Sequence, residues 1–137
     1  MSAVQLERRG GTLVATLDRA PVNAIDDELL AGLDAALVEA ERDESIAVLH
    51  LRSAHKVFCA GADLALIRAS IATAQGLQRM LDTVQAMQRV FARLEQLPCL
   101  TLAELGGATL GGGFELALAC DLRIAAREAR VGLPEAG

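Results

Sequence analysis

Residues 100–119, LTLAELGGATLGGGFELALA, decide the fold. Leu100 to Leu105 predict a short strand, residues 106–113 predict a flexible glycine-rich turn, and Phe114 to Ala119 predict a helix. Two further short β segments, Leu122 to Ala126 and Ala129 to Val131, follow Asp121. A strand, a glycine-rich turn and a helix therefore come in that order, with more strands beyond them.

The segments before residue 100 predict the same mixture of strands and helices. Gln5 to Arg9 and Thr12 to Asp18 form a hairpin around Gly10-Gly11. Asp26 or Asp27 caps a helix that should end near Asp43. This helix carries an apolar face at helical spacing, made of Leu29, Leu30, Leu33, Leu37 and Val38.

A mostly apolar run follows Ser45 and has the length of a strand covered on both faces, which favours a parallel sheet. Residues 53–63 predict a loop of small residues. A long helix from Leu77 to the region of Pro98 comes next. One predicted face of that helix is formed by Leu77, Met80, Leu81, Val84, Met87, Phe91 and Leu94.

Length and composition predict one α/β domain over residues 1–137. A chain of 137 residues is enough for one ordinary domain. Hydrophobic residues make up 53% and aromatic residues 2%, so the core must be built from Leu, Val, Ala and Ile. That composition suits α/β packing better than a small β-sandwich.

Charge and cysteine usage exclude several classes of function. The net charge of −5 and the scattered Arg and Lys residues argue against nucleic-acid binding. The N-terminus lacks a secretory signal and no apolar run reaches the roughly 18 residues of a membrane span. Cys59, Cys99 and Cys120 have no paired spacing, so we expect reduced thiols. We therefore expect a soluble cytoplasmic protein without a membrane partner.

The glycine-rich turn suggests an anion site, but not a nucleotide site. No Lys-Ser or Lys-Thr follows Gly112-Gly113, and no G-x-G-x-x-G can be laid over residues 106–113. Backbone N–H groups at such a turn can approach a substrate oxygen, as in an oxyanion hole. The alternative at this point is that the glycines serve only close packing.

A second small-residue turn makes the pattern specific. Residues 58–64, FCAGADL, and residues 111–121, GGGFELALACD, resemble the two signature segments of the enoyl-CoA hydratase/isomerase family, the crotonases. The resemblance extends to Leu133-Pro134-Glu135. It implies a crotonase-like α/β spiral of ββα units, of which this chain would be the N-terminal part, truncated at its C-terminus.

The resemblance also implies the site residues for an acyl-CoA thioester. The matching amides of Ala62 and Gly112 would bind the thioester oxygen, and Ala62 to Ala65 would lie against the adenine end of CoA. This CoA-binding set is Ala60, Ala62, Asp63, Leu64, Ala65 and Gly112. Ala65 departs from relatives that carry a basic residue there, and Asp63 can instead cap the following helix.

Paired glutamates distinguish a hydratase from many of its relatives. The resemblance places Glu115 and Glu135 where enoyl-CoA hydratases hold the water that adds across the double bond. Two carboxyl groups side by side in an apolar pocket are pushed toward different protonation states, which suits one base and one acid. Taken alone, each residue is more simply a solvated helix or loop residue.

The predicted reaction is reversible addition of water to an α,β-unsaturated acyl-CoA. The alternatives are other acyl-CoA reactions that use the same oxyanion hole: enoyl-CoA isomerisation, hydration of a cyclic dienoyl-CoA, or dehalogenation. A non-catalytic acyl-CoA-binding module is a further alternative. No cofactor is expected beyond the CoA of the substrate. At full length we expect a homotrimer or a dimer of trimers, whereas residues 1–137 alone should be poorly stable and inactive.

Other polar residues carry weaker predictions. His50 and His55 lack further ligands at suitable spacing, so no metal site is expected. Lys56 and Arg19 could contact CoA phosphates or could be solvated loop charges. Cys59 lies beside the proposed hole without a paired histidine, which favours a packed small residue over a nucleophile.

Overall fold

The computed structural model describes residues 2–62, 68–69 and 71–133. The strands are β1 (Val4–Arg9), β2 (Thr12–Leu17), β3 (Val48–Ser53), β4 (Leu100–Leu105), β5 (Thr109–Leu110), β6 (Leu122–Ala125) and β7 (Val131–Gly132). The long helices are α1 (Asp27–Arg42) and α2 (Ala74–Glu95), and the short helix α3 spans Gly112–Leu118.

Five strands form the main sheet in the order β1-β2-β3-β4-β6. β1 and β2 are the predicted antiparallel hairpin, with Arg9 opposite Thr12. The pairs β2-β3, β3-β4 and β4-β6 are all parallel. The predicted α/β class with a parallel sheet is therefore confirmed.

A small second sheet lies beside the ends of the main strands. β5 pairs with β7 in parallel, and Cys59 forms a parallel bridge to Thr109. Each of these short segments follows a main-sheet strand, since β3 precedes Cys59, β4 precedes β5 and β6 precedes β7. After β3 and after β4 the chain thus continues with a short bridging segment and then a helix, and the segments that follow the main strands pair with one another.

Helix α1 covers one face of the main sheet. Asp26 caps it by accepting a hydrogen bond from the amide of Leu29, and Asp43 ends it. Its apolar side is buried and consists of Leu29, Leu30, Gly32, Leu33, Ala36, Leu37 and Ala40. The predicted helix and its cap are confirmed, with Val38 only half-buried.

Helix α2 is present as predicted, but its predicted apolar face is not buried along its length. Leu77, Leu81 and Val84 are 41%, 46% and 41% exposed. Only Val90 and Leu94 are buried, near the C-terminal end of the helix. The described residues leave the first half of α2 largely exposed, so spacing identified an apolar face without identifying a partner for it.

Element boundaries differ modestly from the prediction in the glycine-rich region. α3 begins at Gly112, two residues before the predicted start, and the predicted flexible turn contains β5. β5 forms because Thr109 donates its amide to the carbonyl oxygen of Arg130, a partner distant in sequence. In the described ranges, no helix has both the length and the apolar composition needed to cross a bilayer.

Candidate active site

The two small-residue turns contact each other at the edge of the sheets. We call residues 59–62 the first turn and residues 111–113 the second turn. Leu110, just before the second turn, donates its amide to the carbonyl oxygen of Cys59 at 3.0 Å. A methyl group at Gly61 would lie 3.0 Å from the amide nitrogen of Gly112. The first turn therefore lies directly against the start of the second turn.

Glycine is required in this contact for two different reasons. Gly61 and Gly111 have φ angles of 84° and 55°, which L side chains rarely adopt. At Gly113 a methyl group would lie 2.2 Å from the carbonyl oxygen of Cys59, inside van der Waals contact. Close packing therefore accounts for Gly113, and backbone conformation accounts for Gly61 and Gly111. Gly112 has no positive φ, and a methyl group there would meet only the ends of flexible side chains rather than backbone atoms.

The amides of Ala62 and Gly112 are available donors in the described part of the chain. Neither nitrogen donates a hydrogen bond to another described residue. Ala62 is exposed and Gly112 is half-buried, so both amides lie near the surface. Ala60, the third described residue of the predicted CoA-binding set, donates its own amide to Val22 O at 3.0 Å and is thereby fixed in the first turn.

Two apolar side chains lie against the second turn. A methyl group at Gly112 would lie 2.9 Å from Met87 Cε and 3.0 Å from Ile25 Cδ1. The sequence placed Met87 on the apolar face of a helix but gave no indication of this neighbour. Ile25 was not singled out, because one isoleucine in a loop carries no pattern.

Asn23 was missed by sequence reasoning and is the most connected polar side chain near the turns. It is fully buried and has a φ of 52°. Its Nδ2 donates to Ser53 Oγ and Phe58 O, both at 2.8 Å, and its Oδ1 accepts from the amide of Arg19 at 2.8 Å. The available signal was weak: an asparagine, which tolerates positive φ, two residues after a proline.

Cys59 is a packed residue, as predicted. Its side chain is 0% exposed and its Sγ donates to the carbonyl oxygen of Asn23 at 3.1 Å. Burial raises the pKa of the thiol to about 11, which keeps it protonated at neutral pH. Cys99 and Cys120 are also buried free thiols.

Glu115 is the one predicted carboxylate that the structure describes. It lies in the first turn of α3, three residues after Gly112, and it is exposed. The described residues therefore do not enclose it in an apolar pocket. The predictions for Asp63, Leu64, Ala65 and Glu135 fall outside the described residues.

The remaining predicted polar residues have ordinary partners. Arg19 forms an ion pair with Asp26, the cap of α1. His50 Nε2 lies 3.0 Å from Glu104 Oε1, and His55 Nε2 lies 2.9 Å from Asp18 Oδ1. Lys56 is exposed. Across the described ranges, no three of His, Cys, Asp and Glu converge in a way that could hold a metal ion.

One protein family matches the chain over nearly its whole length. The profile of the family described as enoyl-CoA hydratase/isomerase matches residues 7–137. The chain belongs to this family, and the predicted resemblance is confirmed.

Curated relatives carry related names. A putative enoyl-CoA hydratase/isomerase of Bacillus subtilis is 42% identical over 84% of this chain and 43% of its own length. A probable mitochondrial enoyl-CoA hydratase of Arabidopsis thaliana is 42% identical over 93% of this chain and 41% of its own. The short-chain enoyl-CoA hydratase of Clostridium acetobutylicum is 36% identical over 100% of this chain and 51% of its own. The chain thus spans about half the length of these relatives or less.

Solved structures share the fold of this chain. The Pseudomonas aeruginosa protein DspI superposes with a TM-score of 0.88 at 32% identity, over 99% of this chain and 54% of its own. An enoyl-CoA hydratase of Bacillus anthracis gives 0.87 at 30% identity, over 98% and 52%. The predicted crotonase-like fold class is therefore confirmed.

Proposed function

We propose that this chain carries the oxyanion hole of an enoyl-CoA hydratase that adds water reversibly to an α,β-unsaturated acyl-CoA. The observation that supports this most directly is the contact between the turns. Gly61 packs against the amide of Gly112, and the amides of Ala62 and Gly112 lack acceptors among the described residues. A thioester oxygen held by both amides would be stabilised as negative charge develops on it.

Addition of water to the double bond builds that charge. Attack of water at Cβ moves the π electrons toward Cα and the thioester carbonyl, giving an enolate-like oxygen. Two backbone donors fixed in position bind this oxygen more strongly than the less charged oxygen of the substrate, so they lower the barrier. Removing one such donor typically raises a barrier by about 3 kcal/mol.

In this proposal Glu115 and Glu135 handle the water and its protons. An ionised carboxylate accepts a proton from water as the oxygen attacks Cβ, and a protonated carboxyl group delivers a proton to Cα. Glu115 is near enough to the second turn for this role, because it follows Gly112 by three residues in the same helix. The presence of both glutamates in the sequence favours hydration over isomerisation, and so do the names of two of the relatives.

The remaining parts of the proposal rest on family membership. The substrate would be an acyl-CoA thioester, with its CoA along Ala60 and the residues that follow, and no cofactor would be needed beyond it. The full-length assembly would be a homotrimer or a dimer of trimers. We propose a cytoplasmic location, against which the mitochondrial name of the Arabidopsis relative counts.

An enzyme assay tests the proposal. The purified protein at the full length of its relatives should consume crotonyl-CoA, which is followed by loss of the absorbance of the conjugated thioester. Glu115→Gln and Glu135→Gln should each lower turnover by roughly 100-fold or more, in the range typical of a lost general acid or base. Glu128→Gln is the matched control, because Glu128 is an exposed glutamate outside the turns.

The outcomes separate the alternatives. Turnover of a β,γ-unsaturated thioester without hydration of crotonyl-CoA would favour an isomerase. Tight binding of a saturated acyl-CoA without any turnover would favour the non-catalytic module. Wild-type rates in Glu115→Gln and Glu135→Gln would remove both glutamates from the mechanism.

A further inference from the structure

We propose that Asn23 is a positioning residue of the oxyanion hole, which fixes the first turn so that its amide faces the same point as that of Gly112. The proposal rests on the proposed function and names a residue through which the site acts. Asn23 contacts no reacting atom in this account. Its role is to hold the peptide segment that leads into Ala62.

The side-chain amide of Asn23 is hydrogen-bonded to the segment that leads into the first turn. Nδ2 of Asn23 donates to Phe58 O at 2.8 Å and approaches Val57 O at 3.5 Å, and these carbonyls come directly before the first turn. The same Nδ2 donates to Ser53 Oγ at 2.8 Å, and Ser53 Oγ donates to Val57 O at 2.7 Å. One amide group therefore ties the end of β3 to the start of the turn.

The backbone around Asn23 holds the turn at further points. Ala60 donates its amide to Val22 O at 3.0 Å, and Ile25 donates its amide to Gly61 O at 3.0 Å. Cys59 Sγ donates to Asn23 O at 3.1 Å. Segment 22–25 thus contacts three successive residues of the first turn, immediately before Ala62.

The residues just before the second turn hold the first turn from the other side. The amide of Leu110 donates to Cys59 O, and the amide of Phe58 donates to Ala108 O, both at 3.0 Å. The first turn is therefore fixed between segment 22–25 and segment 108–111. Removing the side-chain hydrogen bonds of Asn23 loosens the first turn only on the side of segment 22–25. The turn should then shift relative to Gly112 without losing contact with it.

The conformation and burial of Asn23 support a specific requirement for this residue. Its φ of 52° excludes most side chains without strain, and asparagine is among the few that adopt it readily. Its side chain is fully buried with both ends hydrogen-bonded. Aspartate would present a carboxylate to the carbonyl oxygens of Val57 and Phe58, which have no proton to donate.

The test compares Asn23→Asp and Asn23→Gly with Thr101→Val. Aspartate keeps the shape and loses the donor, whereas glycine keeps the backbone conformation and loses the side chain. Thr101 is a matched control because it is also buried, and its Oγ1 accepts from the amide of Asp121 at 2.8 Å at the far end of β4. Thr101→Val should lower stability without moving the turns.

Two readouts separate positioning from folding. The first is the infrared carbonyl stretch of bound butyryl-CoA labelled at the thioester carbon, which reports polarisation by the hole. The second is the division between kcat and KM for crotonyl-CoA. In both Asn23 variants we expect the stretch to return toward its value in water and kcat to fall roughly 10- to 100-fold, as for a displacement of about 1 Å. Butyryl-CoA affinity should change by less than about threefold, since one misplaced contact is a small part of the binding energy of a CoA thioester.

The possible failures are distinguishable. A wild-type carbonyl stretch and kcat in Asn23→Gly, or in a folded Asn23→Asp, would overturn the role of Asn23 alone. An equal loss of kcat in Thr101→Val would also overturn it, because the loss would then result from lower stability and not from a displaced first turn. If the wild-type protein itself leaves the carbonyl stretch unchanged, no oxyanion hole exists, and the proposed function fails with it.

Discussion

The two long helices have similar sequence patterns but very different surroundings. α1 buries seven of its sixteen residues, whereas α2 has twenty-two residues and buries only Val90 and Leu94. Leu33 on α1 is 3% exposed, but Leu81 on the apolar face of α2 is 46% exposed. Helical spacing therefore identifies an apolar face, while the surrounding elements decide whether that face is covered.

The contrast follows from where each helix meets the rest of the core. Side chains of α1 and β3 converge with Val90 and Leu94 of α2 and with α3 around a small interior cavity. Its lining is formed by Leu33, Ala36, Leu37, Leu49, Leu51, Val90, Leu94 and Leu116. The N-terminal half of α2 lies outside this cluster, so its leucines face open space in the described part of the chain.

The largest expected effect comes from truncating a core leucine of α1. Leu33→Ala should lower the free energy of unfolding by about 2–5 kcal/mol, because it removes buried contacts and leaves a cavity. Leu81→Ala is the matched substitution on α2 and should change it by less than about 0.5 kcal/mol. Urea denaturation of both variants measures the difference. Equal losses would show that α2 is covered in solution as fully as α1.

A smaller effect is expected from the glycine in the buried face of α1. Gly32→Ala would raise intrinsic helix propensity, but its methyl group would lie 2.6 Å from Val4 Cγ2. We expect a net loss of about 1–3 kcal/mol in thermal or urea unfolding, as for an overpacked core. Gly106→Ala is the control, because a methyl group there meets nothing within 4 Å. A more stable Gly32→Ala variant would mean that β1 yields easily to α1.

Loss of the α1 cap should lower the stability of the whole protein, whereas loss of the α2 cap should affect only the first turns of that helix. Asp26→Ala removes the side-chain acceptor of the Leu29 amide at the start of α1. Thr73→Ala removes the side-chain acceptor of the Gly76 amide at the start of α2. A cap is worth about 1 kcal/mol. We expect Asp26→Ala to lower global stability by that amount, and Thr73→Ala to increase amide hydrogen exchange only in the first turns of α2. Global destabilisation by Thr73→Ala would contradict a weakly supported N-terminal half of α2.

The smallest expected effect concerns the ion pair that joins the two helices. Arg93 on α2 contacts Asp34 and Glu41 on α1, and its hydrogen bond to Glu41 lowers the pKa of that carboxyl group. Because the folded pKa is lowered, this stabilisation is present above the unfolded pKa of a glutamate. It is lost as the pH falls through the folded value. A double-mutant cycle with Arg93→Gln and Glu41→Gln should give a coupling of about 0.5 kcal/mol at neutral pH.

The same double-mutant cycle at low pH tests the predicted direction of the pH dependence. The coupling between Arg93 and Glu41 should approach zero below the folded pKa of Glu41, where the carboxyl group is neutral. Glu39→Gln is a suitable control on the same helix, since the described structure gives Glu39 no ion-pair partner. A coupling energy that stays unchanged in acid would show that it arises from packing of the aliphatic part of the Arg93 side chain.

In the candidate site, too, some features follow from the local sequence and others from contacts between distant residues. The two turns were visible in the sequence because FCAGADL and GGGFE are unusual runs of small residues. Asn23 and Ile25 were not visible, because their importance comes from contacts with residues more than thirty positions away, such as Phe58. β5 itself was missed for the same reason, since its ladder runs to Val131.

The sequence by itself determined the element order, the hairpin, the cap of α1, the parallel sheet and the two small-residue turns. These features depend on spacing, glycine and capping chemistry over a few residues. Only the tertiary structure decided that Gly61 meets Gly112, that Asn23 holds the first turn, and that the described residues leave the first half of α2 uncovered. Such contacts depend on which distant surfaces the fold brings together, and a local pattern contains no information about that.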